Sequence, residues 1–156
     1  MSNGEQSEFD PLFARDVRRG LSHNPKYLLA KYFYDQVGSD LFVEITRQPE
    51  YYPTRTEAAI LRENADAIIG AIEGDISLVE LGSGNSEKTT ILLESILEDQ
   101  RQLHYLPIDI SPEILEETAA ELESCFNGLT TIPIPSEYGP GLHRANRIID
   151  EGDQLP

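Results

Sequence analysis

One cysteine stands among 156 residues, Cys125, so no disulfide can close within the chain and no cysteine-rich metal site can form. Tryptophan is absent and methionine occurs once, leaving seven tyrosines and five phenylalanines to supply aromatic bulk for a core. Basic residues are scarce. Twelve Lys and Arg face 28 Asp and Glu, a formal charge of −16 with a pI near 4.4. A chain that negative repels phosphate backbones and anionic lipid, which argues against nucleic-acid and membrane partners. No apolar stretch nears ~20 residues, and no basic patch near Met1 leads into an apolar run. Neither a membrane span nor a signal peptide is expected, and a cytoplasmic protein is. The three histidines, His23, His104 and His143, show no metal-ligand spacing.

What is present fits one soluble globular domain in size and composition, 39% hydrophobic and 26% charged. Residues 1–8 are polar and read as a disordered tail. Asp10-Pro11 reads as N-cap and first helical residue, followed by Leu12, Phe13, Val17 and Leu21 at roughly helical spacing. Residues 24–35 mix aromatic and basic side chains without a period. Gly38-Ser39-Asp40 precedes a short helical pattern through Leu41, Phe42 and Ile45, which Pro49 ends. Thr54-Arg55-Thr56-Glu57 reads as a capping box opening a helix with Ile60, Leu61, Ala65, Ile68 and Ile72 on one stripe.

After Gly74 the pattern changes. Residues 76–81 form a short apolar run, strand-like, that stops at Gly82-Ser83-Gly84; a helical pattern follows through Ile91, Leu92, Ser95 and Ile96. A second run covers residues 103–110, and Ser111-Pro112 opens a helix with Leu115, Ala119, Leu122 and Phe126 as its buried stripe. Residues 130–134 read as a third strand, placed at a sheet edge because Pro133 cannot donate to a ladder. Strand, helix, strand, helix, strand at this spacing predicts an α/β fold with βαβ units and a parallel sheet. The carboxylates crowded between Glu94 and Glu123 read as solvated helix faces.

The glycine turn carries the chemistry. Gly82 and Gly84, straight after a strand, let the backbone turn tightly and let a ligand approach where a Cβ would block it. Glu87 stands where a dinucleotide fingerprint would place its third glycine, and Gly-Lys-Ser/Thr is absent, so neither a pyrophosphate site nor a P-loop is indicated. A ligand with a ribose and an adenine but no phosphate fits better. Asp109 ends the second strand, where its carboxylate can accept both ribose hydroxyls. Lys88 sits against the macrodipole of the following helix, useful if it pairs with a ligand carboxylate. S-adenosylmethionine has all three groups.

Five stretches in order then resemble the motifs of one family: 31–35 (Lys-Tyr-Phe-Tyr-Asp), 38–42 (Gly-Ser-Asp-Leu-Phe), 49–57 (Pro-Glu-Tyr-Tyr-Pro-Thr-Arg-Thr-Glu), 80–89 and 107–111. They are similar to the histidine-specific, S-adenosylmethionine-dependent methyltransferases, whose best-known activity is trimethylation of the L-histidine α-amine to hercynine in ergothioneine biosynthesis. The resemblance covers roughly residues 15–142. It implies an N-terminal helical substrate-side segment, 9–73, and a partial Rossmann-like cofactor domain, 74–156. It implies S-adenosylmethionine contacts at Gly82, Lys88 and Asp109, and at Glu137-Tyr138 against the adenine, where the family usually has an Asp. It also implies a histidine pocket with Tyr51, flanked by Tyr34 and Phe42. No catalytic base is assigned. The implied sheet order, 3-2-1-4-5, makes strand 76–81 central. The resemblance ends before the family's acceptor-site Asn and later pocket residues, so the chain reads as the N-terminal part of a methyltransferase with one edge of strand 76–81 open. A small-molecule substrate and a missing C-terminal half are the implied partners. A non-catalytic cofactor-binding or interaction fragment, and a methyltransferase for another small amine, are the alternative readings.

Overall fold

Proline begins three of the helices, where a missing N–H removes no helical hydrogen bond and the fixed φ is already helical. The computed structural model describes residues 11–151. They form α1 (Pro11–Ser22), a 3₁₀ turn (Ala30–Phe33), α2 (Gln36–Thr46), α3 (Pro53–Ile69), β1 (Ser77–Leu81) and α4 (Thr90–Asp99). β2 (Leu103–Asp109), α5 (Pro112–Cys125), β3 (Leu129–Thr131), β4 (Ile134–Pro135) and α6 (Tyr138–Asp150) complete the order. The expected tail over 1–8 and the Asp10 cap lie outside the described residues. No helix among those described is long and apolar enough to cross a membrane.

The helix starts differ from the sequence reading in two places. α2 begins at Gln36 because Asp35 caps it, its Oδ1 accepting the Gly38 N–H at 2.8 Å; Gly38, Ser39 and Asp40 therefore lie inside the helix. α3 begins at Pro53 behind Tyr52, whose side chain caps nothing, so Thr54 and Glu57 are helical and form no capping box. The inward side of α3 follows Leu61, Ala65 and Ile69, one turn apart. Ile60, Ile68 and Ile72 stay exposed.

The sheet is parallel, as expected, with β2 between β1 on one side and β3 and β4 on the other. Among the described residues β1 pairs with β2 alone, which is the 3-2-1 half of the implied order. The third strand is not continuous over 130–134. It breaks at Ile132-Pro133, and the reason lies on its neighbour. Carbonyls along β2 alternate sides: that of Ile108 accepts from Gly82 on the β1 side, while those of Tyr105 and Asp109 accept from Ile132 and Ser136. Pro107 therefore turns the side without an N–H toward the break and leaves a rung unmade there, while the nitrogen of Pro133 faces away from β2.

Alternation along β2 also divides the core. Leu103 and Tyr105 pack with Leu93 and Ile96 of α4, Leu122 of α5 and Ile69 of α3. Leu106 and Ile108 point to the opposite face, against Ile134 and Ala145 of α6. That approach requires Gly141, where an added Cβ would lie 2.5 Å from Ile108 Cγ2. With α4 and α5 on one face and α6 on the other, the winding changes side, and the carboxyl ends of β1 and β2 open onto a cleft. Ligands of open α/β sheets bind at such places.

Candidate functional site

The loop after β1 is held from below by a buried polar network. Gly82 and Gly84 take positive φ values of +68° and +52°, and so does Ser86 at +51°. A Cβ on Gly82 would meet the Tyr138 hydroxyl at 2.7 Å, so glycine alone lets the start of α6 close over the turn. Beneath the loop, the Tyr105 hydroxyl donates to the Glu80 carboxylate and accepts from the Ser86 hydroxyl at 2.7 Å. Thr89 Oγ1 donates to the other Glu80 oxygen at 2.7 Å. Burial raises the Glu80 carboxyl above its ordinary value, against the opposing pull of the Tyr105 and Thr89 hydrogen bonds and the Lys88 charge. Burial, reinforced by the Glu80 charge, pushes the Tyr105 hydroxyl far above the usual phenol range.

Asp109 holds the loop from the side. Its Oδ2 accepts the Gly84 N–H at 3.0 Å and its Oδ1 the Ser111 N–H at 3.1 Å. A carboxylate offers about four acceptor positions, so about two remain open toward the cleft. Ser83 also lines the cleft, and its buried hydroxyl has no partner.

All eight residues expected at the two sites line this one cleft, whose volume is about 970 Å³: Gly82, Lys88, Asp109, Glu137, Tyr138, Tyr34, Phe42 and Tyr51. Tyr34, Phe42 and Tyr51 form a chain of edge-to-face rings, with centroids 6.0 Å apart at each step. This aromatic wall comes from the turn before α2, from α2 and from the turn before α3. Its rings are partly open, Tyr34 at 42% and Phe42 at 38% exposure. Lys88 lies in the turn just before α4 rather than in its first helical turn, and pairs with Glu57 near the start of α3. Glu137 is the N-cap residue of α6, but its side chain makes no cap; instead Oε1 accepts from Lys31 Nζ at 2.7 Å. Lys31 also reaches Asp16 at 3.3 Å, and its ammonium is pushed above the ordinary lysine range, mainly by Glu137.

Sequence reasoning singled out neither Lys31 nor Glu57 as a site residue, and did not foresee the Tyr105–Glu80 bond. Both lysine pairs join positions far apart in the chain, 106 and 31 residues, with no periodicity to announce them. Both tie the helices α1–α3 to the sheet side of the cleft through a residue expected at the cofactor. Among the described residues no cluster of His, Cys, Asp or Glu is arranged to hold a metal. A second depression, at the amino end of β2 and β3, is lined by Asp75, Gln100 and Arg101 among others. There the Gln100 amide is consumed by two bonds to the Ile76 backbone, at 2.9 Å each, and one to the Gln102 carbonyl at 2.7 Å.

The arrangement offers acceptors for a diol beside a glycine turn, a cation for an anionic end, an orphan hydroxyl and an aromatic wall. The sequence pattern of one family, described as histidine-specific methyltransferase, SAM-dependent, matches residues 13–154. The histidine N-alpha-methyltransferase of Mycolicibacterium smegmatis is 50% identical over 115 residues, which are 74% of this chain and 36% of that protein. The enzyme of the same name from Mycobacterium tuberculosis is 46% identical over the same shares. The 4-dimethylallyltryptophan N-methyltransferase of Claviceps purpurea is 34% identical over 108 residues, 69% of this chain and 31% of that protein. The matched stretch is thus about a third of the length of these relatives.

Proposed function

Because this chain belongs to the family of histidine-specific, S-adenosylmethionine-dependent methyltransferases, we propose that its cleft is the cofactor site of an L-histidine Nα-methyltransferase, which yields hercynine. The observation that carries this reading is that eight residues drawn from α2, four turns, the end of β2 and the start of α6 line one cleft at the carboxyl ends of β1 and β2. The relatives at 50% and 46% identity bear the histidine enzyme's name, whereas the 34% relative is named for a tryptophan derivative. That ranking favours histidine as the acceptor.

The residues present fit the cofactor. At Gly84 nothing lies within 4 Å of where a Cβ would stand, which leaves room for a ligand close to the backbone, and the unpartnered Ser83 hydroxyl offers it a hydrogen bond. When bound, the cofactor supplies an activated methyl group on a sulfonium. Asp109 accepts the ribose hydroxyls, Lys88 holds the carboxylate end, and Glu137 with Tyr138 lies against the adenine. Of the described residues, those from 74 onward form this cofactor side. Those up to 73 form the acceptor side, where Tyr51, Tyr34 and Phe42 make one wall, orient the amine and keep water from that flank.

The half-exposed rings favour a second reading for the chain by itself, a cofactor-binding fragment without catalysis, since in-line transfer requires the acceptor to be held from both sides. Calorimetry with S-adenosylhomocysteine and a methyl-label assay with histidine separate the cases. We expect binding that Asp109→Ala weakens by about 1.5–3 kcal/mol, the scale of a charge-assisted hydrogen bond, and no hercynine from the 156-residue chain alone. Unchanged affinity in Asp109→Ala would remove Asp109 from the site. Hercynine formed by the chain alone would show that one aromatic wall suffices.

A further inference from the structure

The charges at the mouth of the cleft are arranged for a zwitterion. Among the described residues, Lys31 and Lys88 are the two cations lining the cleft, and Lys31 is held by Glu137 and Asp16. Lys88 is paired with Glu57, each more than a third exposed on its side chain, 35% and 55%. The pair thus sets a positive and a negative group side by side, on two different elements, at the edge of the glycine loop. Neither group is saturated. An ammonium has three donors and a carboxylate about four acceptor positions, and the pair uses one of each.

We propose that Glu57 is a cofactor-binding residue that takes the α-ammonium of the cofactor's amino-acid end, while Lys88 takes the carboxylate on the same carbon; this rests on the reading of the cleft given above. A lone lysine would satisfy half of such a ligand and repel the other half, because the ligand's ammonium would sit beside another ammonium. With Glu57 in place the four charges alternate in sign, and the protein pair need not open to accept the ligand pair. Glu87 also lines the cleft, but the carboxylate that Lys88 pairs with is Glu57, and Glu80 and Asp109 have other work. Both Glu80 oxygens accept from Tyr105 and Thr89, and both Asp109 oxygens accept backbone N–H groups. Glu57 is the carboxylate that already stands next to Lys88 and faces the cleft.

The test is a ratio of affinities, which is insensitive to how much of a variant is folded. The whole chain and its variants are titrated calorimetrically with S-adenosylhomocysteine, its deaminated analogue, its decarboxylated analogue and 5′-methylthioadenosine, which lacks both groups. Glu57→Gln is expected to lose roughly tenfold in affinity for S-adenosylhomocysteine, the effect of one charge-assisted bond. The same variant should bind the deaminated ligand as well as the wild type does, or better. Glu57→Asp should restore part of the preference for the ammonium. Lys88→Met should show the converse, losing the preference for the carboxylate. Glu44→Gln, which breaks an exposed ion pair with Arg47 elsewhere, serves as control and should change nothing. If 5′-methylthioadenosine and S-adenosylhomocysteine bind but Glu57→Gln keeps the wild-type ratio of amino to deaminated ligand, the role of Glu57 is overturned and the cofactor reading stands. If none of the four ligands binds the wild-type chain, the cofactor reading falls and this inference with it.

Discussion

Glu80 lies one layer below the cleft and does not line it, yet the loop's shape rests on it. Its carboxylate gathers Thr89 and Tyr105, and through Tyr105 it anchors Ser86, which holds the unusual positive φ. The cost is a partly buried charge. Because burial raises its carboxyl above the ordinary value of 4.5, the folded chain binds more protons than the unfolded chain between 4.5 and that raised value. The contribution of Glu80 to stability is therefore greatest in acid and falls as pH rises through that window. Glu80→Gln keeps an acceptor for Thr89, and its amide can donate to the Tyr105 oxygen while Tyr105 donates to Ser86. Urea unfolding of both proteins over a pH series should show the difference shifting in favour of Glu80→Gln as pH rises above 4.5. Parallel curves would mean that Glu80 titrates alike folded and unfolded.

At the scale of elements, helix α6 is placed by one glycine and tuned by another that touches nothing. Gly141→Ala pushes a methyl group against Ile108, which is fully buried, and overpacking of this kind costs about 1–3 kcal/mol. Gly139→Ala, two residues earlier in the same helix, meets nothing within 4 Å and should be neutral or stabilising by up to about 1 kcal/mol through helix propensity alone. Urea unfolding of the two variants checks the contrast; equal effects would mean that α6 does not sit against β2 as described. The elements themselves were legible because their periods are strong: β1, β2 and α5 fall within a residue of the sequence reading, and α4 contains the pattern expected of it. Their ends were less so. The capping-box pattern at Thr54–Glu57 is genuine chemistry, but Pro53 starts the helix one residue earlier and makes it redundant. The break after Thr131 was hidden for a different reason. Pro133 announces a weak strand, whereas the missing donor, Pro107, is apparent only once the register sets it opposite the gap.

The whole molecule is a sheet with unequal cores on its two faces. Seven buried residues from α3, α4, α5, β2 and β3 make one, four from β2, β4 and α6 the other. The cleft draws on both, and its legibility divides in the same way. Gly82, Lys88 and Asp109 could be proposed from local pattern, because a glycine turn and a strand-end acid are short-range signals. Glu137, Tyr138 and the three aromatic rings came only with the family resemblance. Lys31 and Glu57 needed the tertiary structure, since each earns its place through a partner on the far side of the cleft. The gap opposite Pro107 has a dynamic consequence for that assembly. β4 is joined to β2 over two register positions, Ile108 with Ile134 and Asp109 with Pro135, and α6 is held by the smaller core and, at its start, by the exposed Lys31–Glu137 pair. The segment 134–150 is thus a cooperative unit that can open without unzipping β3 or disturbing the bonds beneath the glycine loop. Native-state hydrogen exchange should show amides of α6 exchanging through a low-energy opening while those of β1 and β2 exchange only with global unfolding; identical protection would mean a single unit. On this account the wall bearing Glu137 and Tyr138 can lift and reseat over a loop that keeps its form.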